Sequence, residues 1–409
     1  MQWLTEIPDH WEERKMKYCF NERSEKNHPD EPILCATQSQ GVIPQSMYAN
    51  RVVVVNKGFE GLKLVKKGDF VISLRSFEGG IEYAYYQGII SAAYTVLEPN
   101  NPLESEYWKH LFKSFPYISL LQTCVTGIRE GQNINYPLLS RKFIPVPPFH
   151  EQKKIVKYIE SKTSKIDAYI AEKEKEVQLL NELKEAEIAK VVTKGLNPNV
   201  KMKECKSLLT SGCPEHWKVI RNKSFLSLTG EKVGERANEY TLLSLTTKGV
   251  IVRDMESGKG KFPKDFDTYQ AVKKEDLVFC LFDIDETPRT VGIIETEGML
   301  TGAYTALKVN KGIALPEYVY NYYLCVDNIK ALKPYYSGLR KTVRADKFLQ
   351  IYIPLPPLDE QKAIVAYINE KCAKITSLVS ELESEINYLK EYKQRLIADC
   401  VTGQINVQS

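Results

Sequence analysis

At 409 residues, with 43% hydrophobic and 26% charged side chains, the chain is too long for one core and too apolar for wholesale disorder, so it suits two or three domains. No run of eighteen apolar residues occurs, and the first thirty residues carry acids and aromatics, which argues against a membrane span or secretory leader and for a cytoplasmic protein. A net charge of +4 permits an anionic partner, while nine scattered cysteines without a CxxC pair and five dispersed histidines argue against a disulfide framework or a zinc site.

The chain opens on Pro8-Asp9-His10-Trp11. Short strands are expected at Val52 to Val55, Phe70 to Leu74 and, with a break, Gln87 to Leu97, followed by a helical stretch at Glu104 to Leu121. At Ile144 a Pro-rich segment, IPVPPFHEQKKIVKYIE, leads into some forty residues free of Pro and rich in Glu, Lys, Ala, Ile and Leu, which reads as one long helix ending at VTKGLN. Its apolar positions recur every eleven residues, at Ile155, Ile166, Val177 and Ile188, and Tyr158, Ile159, Tyr169, Ile170, Leu180, Val191 and Val192 extend the stripe.

The remainder repeats this plan. Pro214-Glu215-His216-Trp217 answers the opening, LLSLTTKGVI from Leu242 answers LCATQSQGVI from Leu34, and strands are expected at Tyr240 to Leu245, Leu277 to Phe282, Val291 to Glu295 and Ala303 to Val309, with a helix at Pro316 to Ala331. IPLPPLDEQKAIVAYIN then begins at Ile353, 209 residues after its counterpart, and runs without a gap to VTGQIN. The second stripe holds Ile364, Ile375, Ile386 and Ile397 with Tyr367, Ile368, Leu378, Val379, Leu389, Cys400 and Val401, and the two stripes break at the equivalent Asn181 and Lys390.

Eleven residues over three turns is close to the relaxed helix, so two such helices lie nearly straight side by side. The expected core of the pair is Ile155, Ile159, Ile166, Ile170, Val177, Leu180 and Ile188 against Ile364, Ile368, Ile375, Val379, Ile386, Leu389 and Ile397. The order domain, helix, domain, helix favours antiparallel pairing about a pseudo-two-fold axis. The expected architecture is α+β: similar domains at 1–148 and 210–357, long coiled-coil-like helices at 149–194 and 358–402, a linker at 195–209 and a tail at 403–409.

Catalytic signals fail. There is no GxxxxGK[ST], no dinucleotide fingerprint, and Val146-Pro147-Pro148-Phe149 lacks the polar first residue that an amino-methyltransferase loop requires. His10-Trp11 and His216-Trp217 have no nucleophile near them in both halves, so they read as anchors. The positive signal lies in loops: Arg51, Lys57, Arg75 and Gly127-Ile128-Arg129-Glu130-Gly131-Gln132-Asn133 in the first half, and Lys248, Arg253, Lys259, Lys261, Arg289 and Gly338-Leu339-Arg340-Lys341-Thr342-Val343-Arg344 in the second. Gly beside Arg, Lys, Gln and Asn suits close approach to phosphates and hydrogen bonding to base edges.

IPVPPFHEQKKIV and IPLPPLDEQKAIV, the closing VTKGLN and VTGQIN, the paired Gly-x-Arg segments and the opening PDHW and PEHW together resemble the specificity subunit of type I restriction–modification enzymes. That resemblance implies a non-catalytic reader of double-stranded DNA, in which two target-recognition domains each read half of a split asymmetric site. The helices would set the gap and hold two methyltransferase subunits, restriction–translocase subunits would join, and methyl donor and ATP would sit on those partners. A rival reading is a scaffold presenting two protein-binding domains on a helical spacer.

Overall fold

The computed structural model describes residues 3–4, 6–49, 58–127, 132–229, 231–253, 266 and 268–407. Its two compact units do not follow the chain in simple order: one holds residues 1–175 with 382–409, the other 176–381. Each unit therefore contains one α+β domain, the start of the long helix that follows it and the end of the other long helix.

In the first unit a four-stranded antiparallel sheet takes the order Phe20–Arg23, Thr95–Pro99, Phe70–Ile72, Glu82–Tyr83. The second unit repeats it as Leu226–Leu228, Thr305–Val309, Leu277–Phe279, Val291–Ile293. The register repeats as well, since Phe70 faces Leu97 where Leu277 faces Leu307. Phe70 and its equivalent Leu277 are both fully buried in their cores. The expected strands at 70–74, 87–97, 240–245, 277–282, 291–295 and 303–309 are all present in shortened form, whereas 52–55 lies outside the described residues.

Three local readings change. The stretch 104–121 is two helices, Ser105–Phe112 and Phe115–Gln122, because Pro116 at the second position of the latter has no amide to continue the former. LCAT and LSLT are the equivalent first strands of their own hairpins, so Leu34 answers Leu243, not Leu242, and the second hairpin turn is one residue shorter. The expected linker 195–209 is partly structured: Met202–Glu204 pairs antiparallel with Gly212–Pro214, and the Ser207 hydroxyl meets the Tyr322 hydroxyl at 2.8 Å.

The long helices are Phe149–Lys194 and Leu358–Val401. In the first unit Lys393 pairs with Asp167 at 2.6 Å, Lys390 with Glu174 at 3.0 Å and Lys173 with Glu385 at 3.6 Å. In the second unit the Tyr367 hydroxyl donates to Glu187 at 2.9 Å and Lys184 to Thr376 at 3.2 Å. Rising numbers on one helix meet falling numbers on the other, so the pairing is antiparallel.

Of the expected helix-pair core, Ile155, Ile159, Ile170, Ile188, Ile364, Ile368, Ile375 and Ile386 are buried. Ile166, Val177, Leu180, Val379, Leu389 and Ile397 are half-buried. The burial follows what covers each turn: the buried ends Ile155, Ile159, Cys400 and Val401 join the core of the first domain, and Ile188, Val191, Val192, Ile364 and Ile368 that of the second. Tyr169 and Leu378 do not extend the stripe; they lie on the flank, 42% and 49% exposed.

Candidate nucleic-acid interface

The repeated motifs first prove to be joints. His10 Nε2 lies 2.8 Å from Glu151 Oε2 and His216 Nε2 lies 2.7 Å from Glu360 Oε2, so each HW pair grips the Glu of the Pro-Pro-x-x-Glu-Gln motif. The neighbouring Gln turns back on the same motif: Gln152 donates to the Pro147 carbonyl at 3.0 Å and Gln361 to that of Pro356 at 2.8 Å. These bonds fix the entry angle of a helix whose first amides lie beyond a proline pair.

The helix ends are held in the same way. The Tyr107 hydroxyl donates to the Val401 carbonyl at 2.8 Å, and that of Tyr318 to Val192 at 3.0 Å, satisfying carbonyls the helix leaves open. Gly403 and Gly195 follow with φ of +77° and +73°, and a side chain on either would crowd Trp11 or Trp217 at about 3.2 or 3.3 Å. The histidines and tryptophans thus serve the joints, as anchors.

The loop cations divide sharply. Arg51, Lys57, Arg129, Lys259 and Lys261 lie outside the described residues. Arg289 is turned inward, 3.4 Å from buried Asp327 and 3.2 Å from Asn328 Oδ1, and so stabilises the start of strand Val291–Ile293. Lys341 is held by Asp285 at 3.2 Å and Glu286 at 3.4 Å, and Arg344 by Asp346 at 3.0 Å. Arg253 is half-buried. Arg75 is 78% exposed and 3.9 Å from Glu78. Lys248, at the turn of the hairpin Leu243–Thr246 and Gly249–Val252, and Arg340 are exposed, and among the described residues no carboxylate lies within 4 Å of either.

The two Gly-x-Arg segments fall in sequence between paired strand ends, Ile128 and Arg129 of the first lying outside the described residues. Val125–Thr126 pairs with Asn133–Ile134 in the first unit, leaving Gln132 and Asn133 exposed, while Ser337 bridges Thr342 in the second. Six residues close the first loop and four the second, which sequence alignment alone did not register. Sequence reasoning also passed over Leu339, wholly exposed at the tip, because an aliphatic residue is no signal by composition.

A further pattern emerges on the helices. The exposed apolar residues Tyr388 and Tyr392 of the first unit sit 209 positions after Leu179 and Leu183 of the second, and Leu378 sits 209 after Tyr169. Each unit thus shows the same three-residue apolar flank, all tyrosine in one and all leucine in the other.

Comparison with known proteins agrees with this organisation. The chain matches the family model of the type I restriction modification DNA specificity domain over residues 7–179 and 281–388. It is 24% identical to the MjaX specificity subunit of Methanocaldococcus jannaschii, across 99% of this chain and 96% of that one. It is also 24% identical to the type I restriction enzyme MjaVIII specificity subunit of the same organism, across 85% and 81%. A solved chain reported under complex assembly and conformational transition of the type I R-M system superposes with a TM-score of 0.70 at 15% identity, over 98% of this chain and all of that one, a likeness of fold. A doubled α+β domain joined through paired helices and matching this model defines a DNA specificity protein. The chain belongs to the type I restriction modification DNA specificity family, as the specificity subunit of such a system. It accordingly assembles with DNA and with restriction–modification partners. Among the described residues no helix is long and apolar enough to cross a membrane.

Proposed function

We propose that each domain reads one half of a split, asymmetric DNA site and that the paired helices set the gap between the halves. The observation that carries this reading is one sheet order and register in both units, combined with loops of unlike sequence and length between equivalent paired strand ends. One scaffold presenting different loops suits two different half-sites. Of the candidate residues, Lys248, Arg340, Arg75, Gln132 and Asn133 are described and exposed, the cations suited to phosphate and the amides to base edges.

Two methyltransferase subunits dock on the helices, one over Tyr388 and Tyr392 and one over Leu179 and Leu183, with restriction–translocase subunits joining outside. Apolar side chains exposed at equivalent positions in both units suit two copies of one partner. The chain itself is non-catalytic, methyl donor and ATP reside on the partners, and the complex works in the cytoplasm. The histidine of each His-Trp pair bonds a helix glutamate, which suits a structural role.

Co-expression with a methyltransferase subunit, followed by mapping of methylated adenines, tests the reading. A two-part motif is expected. Deleting eleven residues from each helix at matched positions should keep both half-motifs and shorten the gap by several base pairs, from about 16 Å of lost helix. An unchanged gap would count against the helices as the ruler, and a single undivided motif against two readers. A gel shift with a randomised DNA pool separates this reading from a protein-binding scaffold, which would shift none.

A further inference from the structure

The hairpin of the second domain is built rigidly and then leaves its tip in water. Ser337 and Thr342 exchange both backbone hydrogen bonds, at 3.0 and 3.1 Å, and the Lys341 amide donates to the Gly338 carbonyl at 3.1 Å. Gly338 and Lys341 both take positive φ, +77° and +43°, which tightens the loop. At its root, buried Val343 donates its amide to Leu281 at 2.7 Å, and on its flank the Asp283 amide donates to the Arg340 carbonyl at 2.9 Å. Lys341 is tied down to Asp285. With both sides fixed, the Leu339 side chain projects clear of the described protein, fully exposed, beside the exposed cation Arg340.

A single exposed leucine is ordinary; one held rigidly at a tip that faces no protein core is not. The other half of the chain supplies a second observation, from sequence. Gly127-Ile128-Arg129 stands at the same place between its two strands, the tip itself lying outside the described residues. Beyond those three positions the loops part company in length and composition. Readers of different half-sites must differ where they read bases. What they share, a glycine, a branched aliphatic residue and an arginine, then serves something every half-site needs.

Resting on the DNA reading proposed above, we infer that Leu339 is a wedge that presses between base pairs of its half-site while Arg340 holds the neighbouring phosphate. Branched aliphatic side chains are among those that enter base steps and unstack them, and a guanidinium matches a phosphate without reading sequence. A partner that modifies a base must take it out of the stack, and a step already opened by the reader lowers that cost. Leu339 thereby acts on how readily the site opens, and the varied loops act on which site is chosen.

The test uses the full chain with its methyltransferase subunit and the site found by adenine mapping. L339S is expected to melt as the parent does and to yield the same motif, while methylation in the half-site read by residues 210–357 falls at least tenfold. Duplexes carrying 2-aminopurine at successive steps of that half-site should brighten on binding the parent and stay dark with L339S, with L339I restoring both signals. R340A should weaken binding to every duplex and reduce the salt slope by about one. A changed base preference in L339S would make Leu339 a base reader and overturn the wedge, as would unaltered methylation and fluorescence. A parent chain that directs no methylated two-part motif would instead sink the DNA reading and take the wedge with it.

Discussion

Beneath the small hairpin of each domain the two units solve one packing problem in opposite ways. In the first, Glu82 occupies the position opposite Val71 and bonds Lys113 at 2.6 Å, with His110 lining the same cavity of about 470 Å³. In the second the matching residue is Gly292, opposite Val278, and a Cβ there would meet Val250 and Leu245 at 2.6 and 2.7 Å. Leu245 and Val250 pair where the first unit has Ala36 and Val42, and Asn321 and Leu324 replace His110 and Lys113. A small hairpin residue allows a large charged one, and a large hairpin residue demands glycine. The joints show no such freedom, since the His–Glu, Gln–Pro and Tyr–carbonyl bonds are the same in both units within a few tenths of an ångström. Interior and loops drifted after duplication, while the joints between domain and helix stayed under a common constraint.

The sharpest test of that contrast is the tryptophan at each joint. Trp11 and Trp217 are both buried, 6% and 1% exposed, so W11A and W217A should each cost about 3–5 kcal/mol and do so nearly equally. Native-state hydrogen exchange of strands Phe70–Ile72 and Leu277–Phe279 would register them separately; a large inequality would break the claim of a common joint.

A smaller and deliberately unequal effect is expected at Asp69 and Asp276. Both accept the amide of the lysine three residues before them at 2.8 Å, but only Asp69 also binds a buried guanidinium, Arg23, at 2.8 Å. D69A should cost about 3 kcal/mol, the low end for breaking a buried pair, because Arg23 keeps Glu98 and Glu25. D276A loses one hydrogen bond to a charged group and should cost about 1.5–3 kcal/mol, toward the lower figure at this backbone contact. Equal costs would show that Arg23 contributes nothing.

The subtlest difference is in pH dependence. Burial raises the Glu82 carboxyl from 4.5 to about 7 even beside Lys113, so the folded unit holds that proton more tightly than the unfolded chain, and stability falls as pH rises from 4.5 to 7. Burial lowers His110 from 6.5 to about 4, so stability falls as pH drops from 6.5 to 4. Between 4.5 and 6.5 the two slopes oppose and largely cancel. E82Q should therefore leave the first unit losing stability on acidification below pH 6.5, by up to about 3 kcal/mol at pH 4, while the second unit, with Gly292 and Asn321, lacks both slopes. Exchange rates followed from pH 7 to 4 decide it, and an E82Q profile as flat as the parent's would refute the assignment.

Much of this architecture was legible in advance because it repeats: an eleven-residue stripe, two proline motifs and two HW pairs 206 to 209 residues apart admit few readings. Chain order alone favoured the antiparallel sense without requiring it, because a linker of about fifteen residues is long enough to reach back. The partition into units was not legible, because which turns of a helix are covered depends on distant residues such as Tyr107 on Val401. The loop cations were legible only as a list. Arg289 and Lys341 look identical to Arg340 in sequence, and only folding reveals that Asp327, Asp285 and Glu286 stand beside the first two. Positive charge marks a candidate; the absence of a neighbouring acid is a property of three dimensions.

The Tyr107 to Val401 bond spans 294 positions, and Leu396, Cys400 and Val401 fill the core of the first domain. A ribosome making this polypeptide therefore finishes the second domain, whose unit ends at 381, before the first has all its parts. The domain translated earliest waits longest, since the core that holds Trp11 and Ile155 lacks Leu396, Cys400 and Val401 until the end of synthesis.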